Sequence, residues 1–201
     1  MAMVGDLLYH EYEVILGFFI RGTALVAAEN AAVSLKLDGI ASPGNDYVEH
    51  LYHHPNGPVE LEQIVCRTTI NELNALIEIA LQEALEKASG SFFIESNGEF
   101  VIGPNRGVLC KELSKNGIDV NAFPNFDKLL QIKELSEGFK HRQRLRPLPR
   151  IKKGKWETPD TLLPGTEGQY MEQYEISLGH VSEYLTFVRE FLERCRKQSL
   201  I

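Results

Sequence analysis

The sequence predicts a mainly α fold, an antiparallel bundle of about five helices with one inserted β-hairpin, built as a single domain over residues 1–201. Three patterns carry that prediction. No proline occurs from Met1 to Leu37, and most of that stretch is apolar. The closing segment repeats Tyr174, Leu178, Val181, Leu185, Val188, Leu192 and Cys195 at alternating four- and three-residue steps, the spacing of a bundle seam. Between them, two β-prone runs flank Asn97-Gly98, a pair suited to a two-residue hairpin turn because both residues tolerate positive φ.

The stretch from about Val4 to Leu37 reads as one long helix. Between Val14 and Val33 it is apolar nearly all round, which predicts cover by other helices on more than one side. Gly17, Gly22, Ala24, Ala27 and Ala28 offer places for close approach. Arg21 and Glu29 need partners in the bundle or in a shared interface, since an unpaired buried charge is costly. With Asn30 they also cut the apolar run below the about 20 residues of a bilayer span. The segment is therefore read as a core helix, and no membrane contact is expected. The opening MAMVGD lacks the basic n-region of a secretory signal.

Asp38–Pro58 is rich in Gly, Pro and Asn and reads as a loop. A second long helix follows over about Val59–Ala88. Leu73, Ile77, Ala80, Leu81, Ala84 and Leu85 form its stripe, with Glu72, Glu78, Glu83 and Glu86 on the polar side. The hairpin is expected over 91–103, with Phe93, Phe100 and Ile102 on one face and Ile94 and Val101 on the other. Both faces being partly apolar, it should pack on the helices as a flap. A short helix over Arg106–Lys115 should stop at Asn116-Gly117. Phe126–Arg142 is amphipathic, its buried face marked by Leu129, Ile132, Leu135 and Phe139. Residues 143–169 form a long basic, Pro- and Gly-bearing connection without periodicity. In the closing helix Tyr184, Phe187 and Phe191 widen the seam, as for a helix with several neighbours.

A net charge of −7 with 43% hydrophobic and 24% charged residues fits a soluble globular protein. It also excludes polyanion binding by the whole surface, so a nucleic-acid contact must come from a local basic run. Cys66, Cys110 and Cys195 are odd in number and widely spaced, which suits free thiols in a reducing compartment and hence a cytoplasmic location. No cysteine pair has zinc-ligand spacing, and His50, His53 and His54 sit in a loop that rarely converges on one ion. No Glu-x-x-His pair occurs, so a ferritin-like di-iron site is absent. There is no P-loop, G-x-G-x-x-G, G-x-S-x-G or C-x-x-C. No metal or cofactor is expected.

The arranged ionisable groups lie between Phe126 and Trp156. From Lys140 to Lys155 there are eight Lys or Arg and no acid. Glu137 and His141 stand one helical turn apart, and a carboxylate at that spacing favours the imidazolium. A histidine titrating near neutrality among cations could move a proton at a 2′-hydroxyl while Arg142 or Arg144 stabilises phosphorane charge. His141 and Glu137 are therefore the catalytic candidates, for metal-independent RNA cleavage. Lys140, Arg142, Arg144, Arg146, Arg150, Lys152, Lys153 and Lys155, with Trp156 for stacking, are the candidates for nucleic-acid binding. The same residues also suit a solvated helix end, whose dipole favours cations, or a segment docking on an acidic face.

The element order, with ELSEGFKHR at Glu134–Arg142 followed by an apolar closing helix, resembles the HEPN superfamily of prokaryotic helical-bundle proteins. The resemblance implies a helical bundle, commonly homodimeric, and membership among toxin–antitoxin or phage-defence proteins, many of them RNases. His141 stands where that family has its catalytic histidine. Glu134, Leu135 and Ser136 stand where its arginine is expected, so the resemblance implies a catalytically weak or inactive protein that binds RNA or a nucleotide. The alternative expectation is a non-enzymatic protein–protein interaction module of a bacterial regulatory or defence system. Either way a homodimer is expected, because the apolar stripes and the hairpin edge exceed what such a bundle buries.

Overall fold

The computed structural model describes residues 3–38, 58–90, 94–96, 99–101, 106–140, 150–152, 155–157 and 176–201. Its helices are α1 (Met3–Asp38), α2 (Pro58–Ser89), α3 (Arg106–Lys115), α4 (Phe126–Lys140) and α5 (Leu178–Lys197). A 3-10 turn at Val120–Ala122 joins α3 to α4. Strands β1 (Ile94–Ser96) and β2 (Glu99–Val101) pair antiparallel, as do β3 (Arg150–Lys152) and β4 (Lys155–Glu157). The expected helical bundle is present, and the ends of α1 to α4 differ from expectation by two residues or fewer, whereas α5 starts only at Leu178, after its Ser177 cap, and not at the expected Tyr174.

α2 is the axle and packs against α1, α3, α4 and α5. Its stripe of Leu73, Ile77, Ala80, Leu81, Ala84 and Leu85 is buried as the periodicity requires, and Val65, Cys66, Ile70 and Leu76 widen it. Such an arc is too broad for one neighbour, and α2 meets the others with its different sides. α4 contributes Leu129, Ile132 and Leu135, all buried. α5 contributes Val181, Leu185, Val188, Phe191, Leu192 and Cys195, the heptad seam read from the sequence. Tyr174 of that seam lies outside the described residues.

Polar contacts fix the helix directions. Gln63 Nε2 donates to Ile176 O and the Leu178 N–H donates to Glu62 Oε1, both at 3.3 Å, so α2 and α5 start at the same end. Arg196 Nη2 lies 3.3 Å from Asp6 Oδ1, and the Tyr12 hydroxyl donates to Leu185 O at 3.1 Å, so α1 runs against α5 and therefore against α2. Gly22 lets α1 pack tightly on α2: a Cβ there would sit 2.6 Å from Val65 Cγ2. Of the small residues expected to permit close approach, this one does. Ala24, Ala27 and Ala28 are exposed.

Ends are closed by local chemistry. Ser177 caps α5, its Oγ accepting from the His180 N–H at 3.3 Å. α3 stops at Gly117, φ 81°, with Ile118 N–H donating to Leu113 O at 2.9 Å and Gly117 N–H to Ser114 O at 3.0 Å. That is the Schellman arrangement expected of Asn-Gly.

One expectation is corrected. α1 was expected to be covered on more than one side, but it packs along α2 and on α5, with Gly5 beside Ile201, and leaves Leu7, Val14, Phe18, Ile20 and Leu25 exposed. Leu8, Tyr12, Ile15, Phe19, Val26 and Val33 form its buried seam. The other elements gather round α2 and leave α1 at the edge of the bundle.

Candidate functional site

The described part of the expected basic site is its frame. Glu137 is half-buried on α4, and Lys140 is the last residue of that helix. His141, Arg142, Arg144, Arg146 and Lys153 lie outside the described residues, as do His50, His53 and His54. Arg150 and Lys152 fall in β3, Lys155 and Trp156 in β4. Their register sets Ile151 opposite Trp156 and Lys152 opposite Lys155. Near the end of α4, the Arg67 guanidinium of α2 stands 5.9 Å from the centre of the Phe139 ring.

The bundle does bring together a polar cluster that periodicity alone did not reveal. Arg106, the first residue of α3, is 1% exposed. Its Nη1 donates to Leu129 O in α4, and its Nη2 donates to Asn74 Oδ1 at 2.5 Å and Asn74 O at 3.4 Å in α2. Asn74 Nδ2 in turn donates to Glu78 Oε1 at 3.3 Å. A buried guanidinium at a helix N-terminus faces both desolvation and the positive end of the macrodipole. Burial lowers the Arg106 pKa to about 10, with the Glu78 carboxylate opposing the shift, so the group is a cation at neutral pH. The carbonyls and Glu78, relayed through Asn74, offset that charge. Arg106 Nε has no partner among the described residues. Ser136 Oγ donates to Asn71 Oδ1 at 2.9 Å and the Tyr184 hydroxyl donates to Gln131 Oε1 at 3.1 Å, adding α4–α2 and α5–α4 ties. The signal was present in the sequence: Arg106, Leu109, Cys110 and Leu113 share one helical stripe, and all are buried.

The described thiols are not nucleophiles. Burial pushes Cys66 and Cys195 up to about 12 and raises Cys110, which Arg106 partly counters, so all three are protonated at neutral pH. No group of three or more His, Cys, Asp or Glu among the described residues could hold a metal ion. His180 serves the α5 cap, its Nδ1 2.9 Å from Ser177 Oγ.

The second feature is the open face of α1. Leu7 (56%), Val14 (55%), Ile20 (58%), Leu25 (51%) and Leu35 (73%) are exposed, and Phe18 is exposed beside them. By length and composition α1 is also apolar enough to cross a membrane. The chain matches no protein-family model, no curated protein and no solved structure.

Proposed function

We propose that this chain is a non-enzymatic protein–protein interaction module working through the open face of α1, in the cytoplasm. The observation that carries the reading is the row of large apolar side chains left exposed on a helix whose other side is firmly packed. Scattered exposed apolar residues are ordinary, but a contiguous row along one helix marks a surface meant to be covered. The inserted β-hairpin over 91–103, packed as a flap, belongs to the same reading. To test it, a photo-crosslinking amino acid is placed at Phe18 in the full chain in living cells, with the exposed Ser182 of α5 as control. The proposal expects a protein adduct at position 18 and none at 182. No adduct at 18 would refute it.

A second reading is favoured by the pairing of β3 with β4, which gathers Arg150, Lys152, Lys155 and Trp156 into one short ladder. On this reading the protein is HEPN-like and binds RNA or a nucleotide through that unit and His141. Phosphate contacts make affinity fall steeply with salt. Binding of a mixed-sequence single-stranded RNA at low and moderate salt, scored for cleavage without added metal, therefore tests it. A His141→Ala, Arg144→Ala variant that binds RNA as the parent does would remove it.

A further inference from the structure

We infer that the occupant of the open α1 face is a second copy of this chain, docked antiparallel about a two-fold axis that crosses the open face at the axial level of Leu16. The inference rests on the interaction reading and names its partner. Leu7, Glu11, Val14, Phe18, Arg21 and Leu25 follow alternating four- and three-residue steps. They make a second seam on α1 beside the buried one, and all but half-buried Glu11 are exposed. Reversing the helix about Leu16 sets Leu7 against Leu25, Val14 against Phe18, and Glu11 against Arg21. Each apolar residue meets an apolar one, and the seam's two charges meet with opposite sign. Symmetry repeats each contact, so the Glu11–Arg21 pairing occurs twice.

The charges are available for that pairing. The ion pairs among the described residues are Lys115–Glu112, Arg189–Glu193 and Arg196–Asp6, which include neither Glu11 nor Arg21. Ten residues of helix separate the two by about 15 Å, too far to pair with each other. The Arg21 guanidinium lies back over Gly17, its Nη1 3.6 Å from where a Cβ would be. Two other registers fare worse. An axis midway between Arg21 and its own copy opposes two guanidinium groups. An axis at Leu25 opposes Arg21 to Glu29 but sets Val14 against Lys36 and leaves Leu7 beyond the pairing.

A bilayer is the competing occupant, and the packing argues against it. α1 lies along α2 and α5 and is tied to α5 by Asp6–Arg196 and by Tyr12. Burying α1 in hydrocarbon would carry in the Glu62, Arg67, Glu72 and Glu78 positions of α2, a strongly unfavourable transfer.

Sedimentation equilibrium of the full chain tests the inference through the charge pair. The parent should be a dimer. Arg21→Glu and Glu11→Arg should each weaken association at least about tenfold, because two contacts change sign, and the double swap should return it to within about threefold. A parent that is monomeric at every concentration, or a double swap without recovery, overturns the inference. Photo-crosslinking at position 18 separates the two failures. A monomer that still gives an adduct with a different protein overturns the second copy alone, whereas a monomer with no adduct removes the interaction reading as well. Flotation with phospholipid vesicles, lost in Leu25→Asp, would assign the face to a membrane and overturn both.

Discussion

Two regions of this bundle invert the usual placement of charge and grease. Where α2, α3 and α4 meet, a guanidinium is buried, while along α1 a row of leucine, valine and phenylalanine is left in water. The buried charge is held inside the chain through Nη1 and Nη2, by two backbone carbonyls and by Asn74 with Glu78 behind it, and Nε alone lacks a partner among the described residues. The exposed row is not so held: nothing among the described residues covers it. A feature whose needs are met internally is a structural strut. A feature whose needs are unmet points outside the molecule.

The comparison can be broken hardest at Arg106. Arg106→Ala should cost about 3–5 kcal/mol, since it opens a cavity and strips the donor from Asn74 Oδ1 and Leu129 O. Urea unfolding measures it. A cost under about 1 kcal/mol would mean that the guanidinium is not the strut described. Arg106→Met sharpens the point: a hydrophobe of similar volume should recover most of that loss, because buried ions hold little net stability over good packing.

The buried thiols offer a pH test of the same interior. The unfolded chain releases thiol protons above about pH 9, whereas Cys66 and Cys195 hold theirs to about 12 when folded. The folded state then binds more protons, so stability is full below pH 9 and falls as pH rises beyond it, by up to about 1.4 kcal/mol per pH unit for each thiol. Stability followed from pH 7 to 10 should be flat and then decline. In the native state all three thiols should resist an aromatic disulfide reagent at pH 8.

Gly22→Ala probes the contact that anchors the packed side of α1. The added methyl meets Val65, an overpacking cost of about 1–3 kcal/mol, offset by about 1 kcal/mol of improved helix propensity. A net loss of roughly 1 kcal/mol is expected by urea unfolding. The smallest effect belongs to the open side: Phe18→Asp should leave the stability of the isolated chain within about 0.5 kcal/mol while abolishing association. Were it to cost as much as a core substitution, the face would not be open.

Helices were legible because their signals are local. The Asn116-Gly117 stop, the Leu129–Ile132–Leu135 stripe and the seam of α5 each need only a few neighbouring residues to declare themselves. Arg106 was not legible, although its stripe with Leu109, Cys110 and Leu113 pointed inward. A cation at a helix start is ordinarily solvated, and only the closure of α2 and α4 over it decides otherwise. α1 was legible as an apolar helix but not as an edge helix. It carries two adjoining heptad rows, and periodicity cannot say which one a neighbour takes. The candidate site at His141 was argued from i, i+4 spacing, and of that pair Glu137 alone falls among the described residues.

The most direct test of the central claim is the distance between two copies of α1, read by pulsed electron–electron double resonance on full chains spin-labelled at Ala24→Cys or at Ser34→Cys. Both positions are exposed, and the native thiols are buried. Antiparallel docking about Leu16 predicts label separations of about 26 Å and about 55 Å, from the helical rise and an interaxial spacing of about 10 Å. Equal separations at the two positions, as parallel docking would give, or no dipolar modulation at all, would contradict it.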